Sequence, residues 1–372
     1  RVRIWPDEIL TNIFVFLPVK SIIICASVSK AWKSLIKSPT FISTYHHHHH
    51  HHSLNKSLLF FGLCSESENR KEFYALYNED DADFTQHARL DYPFHNGKYS
   101  VVATCNGLLF LSKEVLRGDY SFCLWNPCVG KSLKLPSPNI TYATHGKFRD
   151  YLGFGFDPKT KDYKVIRVVT LLESLDFKRT RPQVEIYTLS TGQWRMLGTG
   201  LAPLGALYST YPHTFINGAL HWVAFFRDSD NNIHNFVLVF DLGEEVFHEI
   251  LLPEFPGHMG LISGTVSVYR NSIAFFRKGN DFLHIWAMKE YGVVSSWTKL
   301  FSLPLDFFAA SDSTERALGF RRNGEVLFLK LKGGRLISLD LETREIKDLG
   351  IMGYRNTVVD CYVESLVLLD QQ

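Results

Sequence analysis

The sequence predicts a mainly β protein behind a small helical head: three short helices, then a six-bladed β-propeller closed by the C-terminal strand. Three observations predict it. Asn-Gly-type turns recur along the chain, aromatic residues make up 14% of it, and the first 45 residues contain no glycine, unlike all that follows.

The head comes first. Residues 1–45 space their apolar side chains at helical intervals. Pro6 suits the first helical position, where its missing N–H costs nothing, and Asp7 and Glu8 put negative charge at the positive end of the helix dipole. Ile9, Leu10, Ile13, Phe14 and Leu17 then share a face, and Pro18 stops the helix. A second helix is expected from Lys20-Ser21 through Ile24, and a third from Ser29 to Lys37 carrying Trp32, Leu35 and Ile36. Ser38-Pro39 ends it, and Phe41 and Ile42 begin another turn. A module this small struggles to bury enough surface alone, so part of its apolar surface is expected to be covered by another protein.

The run His46 to His52 lies in a linker over residues 46–54 and reads as an unstructured low-complexity tract. A homopolymer lacks the fixed geometry that a metal site needs.

Residues 55–372 form the propeller. Asn106-Gly107, Asn217-Gly218 and Asn323-Gly324, with Asn271-Ser272 as a weaker fourth, each open a short apolar run, as hairpin turns do. They recur about every fifty residues apart from one doubled interval, a period typical of propeller blades. Asp157-Pro158-Lys159-Thr160-Lys161-Asp162 fills the gap, and Asn55-Lys56 lies one step before the first turn, giving six units. Each unit adds an outer segment, such as Phe122 to Pro136, Val184 to Leu197, Phe236 to Pro253, Phe282 to Pro304 and Arg335 to Leu349. The first unit lacks its leading strand, and Val358 to Leu369 is a surplus one. That strand is expected to complete the first blade and remove the edges of an open ring. Trp125, Trp194, Trp222, Trp286 and Trp297 are expected to pack the blades.

A formal charge of +2 provides no global field toward nucleic acid or an anionic membrane, so neither is expected as a partner. No run of about 18 uncharged apolar residues exists and no signal-peptide layout precedes the head, which points to the cytoplasm or nucleus. Six cysteines without a CxxC pair argue against structural zinc and for reduced, mostly buried thiols. Gly153-Phe154-Gly155 starts like a dinucleotide fingerprint, but Pro158 occupies the third glycine position. No GxSxG, HExxH or P-loop occurs, so no catalytic residue, metal or cofactor is expected. An enzyme would instead require a pocket on the propeller axis lined with converging polar groups.

Residues 4–45 resemble an F-box through Pro6, Glu8, Ile9, Leu10, Ile13, Leu17, Pro18, Lys20, Ser21, Ile22, Val28, Ser29, Lys30, Trp32, Leu35 and Ile36. The resemblance implies docking on the Skp-type adaptor of an SCF (cullin-scaffolded) ubiquitin ligase, with Pro6 to Ile22 of that set as the adaptor contacts. Trp5 replaces the first Leu of the pattern, and Ile24-Cys25-Ala26-Ser27 stands where the plant family usually carries a basic stretch. The rest is similar to the plant F-box-associated domain, through Gly153 to Pro158 with Asp162-Tyr163-Lys164-Val165, Leu124-Trp125-Asn126-Pro127, and Tyr362 to Leu369.

The implied function is a non-catalytic substrate receptor. The wider resemblance includes S-locus F-box proteins, which would imply a pistil ribonuclease as target in self-incompatibility. Charged insertions are the candidate target contacts: Asp80 and Asp81 in an acidic loop, Lys178, Arg179 and Arg181 in a basic one, Arg227 and Asp228 in a mixed one. The alternative is a ligase-independent binding scaffold whose F-box has drifted.

Overall fold

A computed structural model describes residues 5–52, 58–64, 72–80, 84–90, 94, 99–114, 120–171, 182–198, 206–207, 213–230, 232–255, 260–262, 264–279, 281–304, 315–330, 332–354 and 356–370. Six antiparallel sheets follow the helical head. The second blade runs Ser100–Cys105, Leu108–Glu114, Tyr120–Asn126, Lys131–Lys134, and the third Phe148–Asp157, Asp162–Leu171, Gln183–Thr188, Gln193–Met196. The fourth has a divided inner strand, Ala206–Leu207 and Thr214–Ile216, then Ala219–Arg227, Ile233–Asp241 and Val246–Leu251. Gly264–Tyr269, Ser272–Lys278, Phe282–Met288 and Trp297–Pro304 make the fifth, and Glu315–Phe320, Val326–Lys330, Arg335–Leu339 and Ile346–Met352 the sixth.

The first blade confirms the closure. Its order is Val358–Tyr362, Leu58–Cys64, Glu72–Asn78, Gln86–Leu90, so the last strand supplies the missing inner position, with Leu58 opposite Tyr362 and Gly62 opposite Val358. Inner strands of successive blades touch around the axis, including the first blade with both the second and the sixth. The surplus strand is shorter than expected, ending at Tyr362. Beyond it Asn126 Nδ2 donates to the Ser365 and Val367 carbonyls, at 3.0 and 2.9 Å, and bends the chain away from the sheet.

The turns explain the repeat. Asn106 and Gly107 have φ of 49° and 78°, and Asn217 and Gly218 have 54° and 73°, the paired left-handed conformations of a tight hairpin. Gly107 also sits against the tail: a Cβ there would lie 2.4 Å from the Val363 carbonyl oxygen. The weaker turn differs, its positive φ falling on Arg270 rather than Asn271. Asn55-Lys56 lies outside the described residues.

Blade-to-blade packing accounts for the Gly153-Phe154-Gly155 stretch. A Cβ on Gly153 would meet Leu220 and Trp222, and one on Gly155 would meet Phe215, so the fourth blade presses directly on the third blade's inner strand. Trp125, Trp194 and Trp222 are buried as expected, whereas Trp286 and Trp297 are only half-buried at outer positions. Cys105 and Cys123 are buried, but Cys25 and Cys128 are half-buried and Cys361 is exposed, so burial of the thiols is partial among the described residues.

The head holds four helices rather than three: Asp7–Phe14, Val19–Val28, Lys30–Ile36 and Pro39–His52. Pro6 is extended at ψ 143° and precedes the first helix instead of opening it. Ser29 caps the third, its Oγ accepting from the Trp32 N–H at 3.1 Å. The polyhistidine tract belongs to the fourth helix and is not unstructured. Phe41 and Tyr45 bury its first turns, and once a helix is nucleated each added residue costs little.

Leu10, Phe14, Val19, Ile22, Ile36, Phe41 and Tyr45 form the head's core together with Leu366 and Leu369 from the tail, with Cys128 and Val129 of the second blade packed against it. The Tyr45 hydroxyl donates to the Leu17 carbonyl at 2.8 Å. One side of the head is thus covered by the propeller's own C-terminal segment, not by a foreign protein.

Candidate functional site

Several large apolar side chains of the head are exposed. Ile9 and Ile13 on the first helix, Phe16 after it, and Ile24 and Val28 on the second are exposed, Ile13 by 51%, Phe16 by 69%, Ile24 by 66% and Val28 by 62%. Trp5 is exposed beside the first helix. Clusters of large exposed apolar side chains at this density mark interaction surfaces. Of the expected contacts, Pro6, Glu8, Ile9, Ile13, Pro18 and Lys20 are exposed, Leu17 and Ser21 half-buried, and Leu10 and Ile22 buried in the head's own core. Sequence reasoning missed Phe16 and Val28 as surface residues. Helical spacing identified the buried stripe but could not say which flanking residues stay bare.

Alternation of strand direction gives the ring two rims. The turns at 106–107, 158–161 and 217–218 lie on one, together with the Pro127–Gly130 turn that meets the head, and Phe156, at that end of its strand, touches His46. Asp80 is on this head-side rim. Arg227 and Asp228 are on the opposite rim, and Asp81, Lys178, Arg179 and Arg181 lie outside the described residues. The Asp228 carboxylate is occupied by its own turn, accepting from the Asp230 and Asn232 N–H groups and from His234 Nε2 at 2.8 Å. These bonds hold its carboxyl well below the usual carboxylate range.

The motif around Asp157 is structural. Asp157 accepts from the Lys159 and Thr160 N–H groups and pairs with Lys164 Nζ at 2.7 Å. Lys164 reaches on to the Leu242 carbonyl and to Glu245 Oε1, tying the third blade to the fourth. Burial works to raise the Asp157 carboxyl, but bonds from Lys164 and Thr160 outweigh it and hold the group below its ordinary value.

A cavity of about 340 Å³ opens on the rim opposite the head. Its walls come from the starts of inner strands in five blades, including Val101, Asp150, His213, Arg316 and Val358, and it extends between the first two blades past Tyr74, Ser112 and Tyr120. His213 Nε2 lies 3.0 Å from both the N and the O of Phe154. No hydrogen bond joins this ring to Ser100 or Ser112 in the wall. No group of three or more metal-ligating side chains occurs among the described residues. No helix among them is long and apolar enough to cross a membrane.

Burial pulls His213 and His221 down to about 4 from 6.5, although bonds to main-chain carbonyls work the other way. His221 bridges the Thr214 carbonyl and the Tyr291 hydroxyl. Each histidine stays neutral in the folded chain while the unfolded chain takes up a proton below about 6.5. Stability therefore falls as pH drops from there toward 4, by about 3 kcal/mol per histidine at the low end. Urea unfolding of wild type and His221→Gln should find the wild-type-minus-variant difference smaller by about 3 kcal/mol at pH 4 than at pH 7. A difference that does not change with pH would mean that this imidazole titrates in the fold as it does in the unfolded chain.

Residues 4–44 match the F-box domain, and residues 63–369 match the F-box associated beta propeller domain. The chain is 25% identical to the F-box protein CPR1 of Arabidopsis thaliana over 98% of its own length and 88% of the relative's. It is 29% identical to the F-box protein At3g07870 of the same plant, covering 95% of this chain and 90% of that one. With the Arabidopsis F-box/kelch-repeat protein At3g23880 it shares 28% identity, over 80% of this chain and 79% of that protein.

Proposed function

Because this chain belongs to the F-box proteins that carry an F-box-associated β-propeller, we propose that it is the substrate-recognition subunit of an SCF-type ubiquitin ligase. The head docks on a Skp-type adaptor and through it on the cullin scaffold, and the propeller holds a target protein. The observation that carries this reading is the exposure of Ile9, Ile13, Phe16, Ile24 and Val28 on a head whose core is already completed by the propeller's tail.

The departure at Ile24 to Ser27 supports docking rather than drift. Where the resemblance leads one to expect basic side chains, Ile24 extends the apolar face instead of interrupting it. A head that had lost its partner would gain nothing by keeping such side chains in water.

Transfer needs no chemistry from this chain. Holding a target lysine beside the charged conjugating enzyme replaces a dilute encounter with a local one, a gain of effective concentration. The test is co-purification with a Skp-type adaptor, comparing wild type with Ile13→Asp/Phe16→Asp. Both side chains are exposed, so the head should stay folded while adaptor recovery falls at least about a hundredfold, as expected when charges replace central apolar contacts. Equal recovery would overturn the assignment. Leu17 is the poorer choice for this test, since it packs in the head's core and its loss would damage the fold. A pistil ribonuclease as target, the implication of the S-locus resemblance, is testable by direct binding of such enzymes to the full chain, and no saturable binding would overturn it.

A further inference from the structure

The fifth blade gathers cations and aromatic rings at its edge away from the head. Arg277 and His284 stand opposite each other on the neighbouring strands Ser272–Lys278 and Phe282–Met288, near the ends remote from the head-side turn at 270–271. Residues paired across a ladder share a face of the sheet, and Ser302 on the next strand continues the row. The Arg277 guanidinium lies over the Phe255 ring, 4.2 Å from its centroid. Lys299 Nζ is 5.5 Å from the centroid of Trp286, and Phe255 meets Trp286 edge to face at 5.8 Å. Phe282 stacks on the His284 imidazole with centroids 5.9 Å apart. Ring contacts thus link Arg277 to Lys299, and the strand pairing links Arg277 to His284.

No carboxylate balances these charges. Among the described residues neither Arg277 nor Lys299 makes a side-chain ion pair or hydrogen bond, and the His284 ring is joined only at Nδ1, to Ser302 Oγ at 2.8 Å. The acidic residues beside the rings in sequence, Glu254 and Asp281, are exposed and pair with none of the three. Burial pulls the Arg277 guanidinium below its ordinary value, with no opposing charge to restore it. Burial also pushes the His284 imidazole down, and Lys299 and Arg277 push it further. Positive charge is therefore held here against its own repulsion, which favours an incoming anion. An apolar side chain borders it, Phe282, exposed by 42%.

We propose that this surface docks an acidic segment of the target protein, in which an aspartate or glutamate carboxylate stands beside an apolar side chain. The carboxylate is held by the Arg277 guanidinium, the Lys299 ammonium and His284 Nε2, and its apolar neighbour lies on Phe282. Phe255 and Trp286 attract the two cations through their ring quadrupoles and hold them in place, so less side-chain freedom is lost when the anion arrives. Nucleic acid fits less well, because its affinity comes from many phosphate contacts and the whole chain has a formal charge of only +2. The proposal deepens the receptor reading and rests on it for the existence of a target. The surface lies on the rim opposite the head, so a bound segment leaves the head clear.

The test uses no ligase component, so its failure leaves the adaptor assignment standing. Calorimetric titration of the full chain with acetyl-Asp-Phe-Asp-amide should give saturable binding in about the millimolar range, and acetyl-Asn-Phe-Asn-amide should bind at least about tenfold more weakly. Arg277→Gln/Lys299→Gln should lose about tenfold or more for the acidic peptide. Lys299→Gln alone, a change at an exposed side chain, should lose about threefold and serves where the double variant does not fold. Lys278→Gln removes a like charge from the opposite face of the same strand and should leave binding within about twofold. An anion prefers the imidazolium, so lowering the pH from about 7.5 to about 5 should strengthen binding about threefold more in wild type than in His284→Gln. Any of these results overturns the proposal: no saturation by the acidic peptide, equal binding of the Asn peptide, Lys299→Gln and the double variant binding as tightly as Lys278→Gln, the same pH response in wild type and His284→Gln, or tighter binding of inorganic phosphate or a single-stranded oligonucleotide than of the acidic peptide.

Discussion

A chain ending at Thr357 should fail to form a cooperatively folded propeller. Truncation strips the inner edge from Leu58–Cys64, exposing a row of backbone groups that Val358–Tyr362 satisfies in the intact ring. It also removes Asp360, whose carboxylate accepts from the Thr104 N–H and hydroxyl, and the acceptors for Asn126 Nδ2. Asn126 is fully buried, and its Nδ2 would lose its acceptors while Oδ1 keeps the Cys128 N–H, a cost of about 1–3 kcal/mol for that group alone. The first blade would retain three strands and touch the sixth along no inner strand. Thermal melting followed by circular dichroism should change from a single sharp transition to a broad one at lower temperature, with aggregation on size-exclusion chromatography. A melt identical to the intact chain would show that the ring does not need this strand. Leu366→Ala/Leu369→Ala separates the two roles of the tail: it leaves the ladder intact and removes two side chains from the head's core, at about 2–5 kcal/mol each.

Arg167→Leu should be the most damaging single substitution inside the sheets. It leaves Asp150 and Glu185 without their shared counter-charge in a setting where all three side chains are nearly dry. Breaking a buried pair from one side costs about 3–5 kcal/mol, and here one residue serves two partners. The Ile140 carbonyl loses its donor and the Phe148 ring the cation 4.8 Å above it. The melting temperature should fall on the order of 10 °C. Adding Asp150→Asn and Glu185→Gln to that variant should restore part of the loss, because the stranded charges are what destabilise it. If the triple variant melts no higher than Arg167→Leu, packing by the guanidinium stem rather than charge pairing is what the position provides.

The architecture was legible because its punctuation is chemical. Two of the Asn-Gly pairs supply two successive left-handed residues and the third, Asn323-Gly324, one at Gly324, and the chain uses them where inner strands turn, so their spacing marks the blades. The missing leading strand and the surplus final one could be matched by counting alone. The fourth helix was hidden because a run of histidines has no apolar period to read. Leu366, Leu368 and Leu369 look like the end of a strand, but Asn126, far away in sequence, holds a bend there that turns Leu366 and Leu369 against the head and Leu368 into the propeller's core. On the head, the pattern named a set of contacts but not their division into exposed Ile9 and Ile13 and buried Leu10 and Ile22, which depends on how the helices cross. The cavity had no local signature at all. Its walls come from strands spread over most of the chain, and the excess of carboxylate over guanidinium at Arg167 exists only once three separate strands lie side by side.

Residues 358–370 perform two jobs within a dozen positions: the first five clasp the ring, and the leucines after them seat the head. A late stop codon or a protease clip at this end therefore opens the ring and unseats the head in one event.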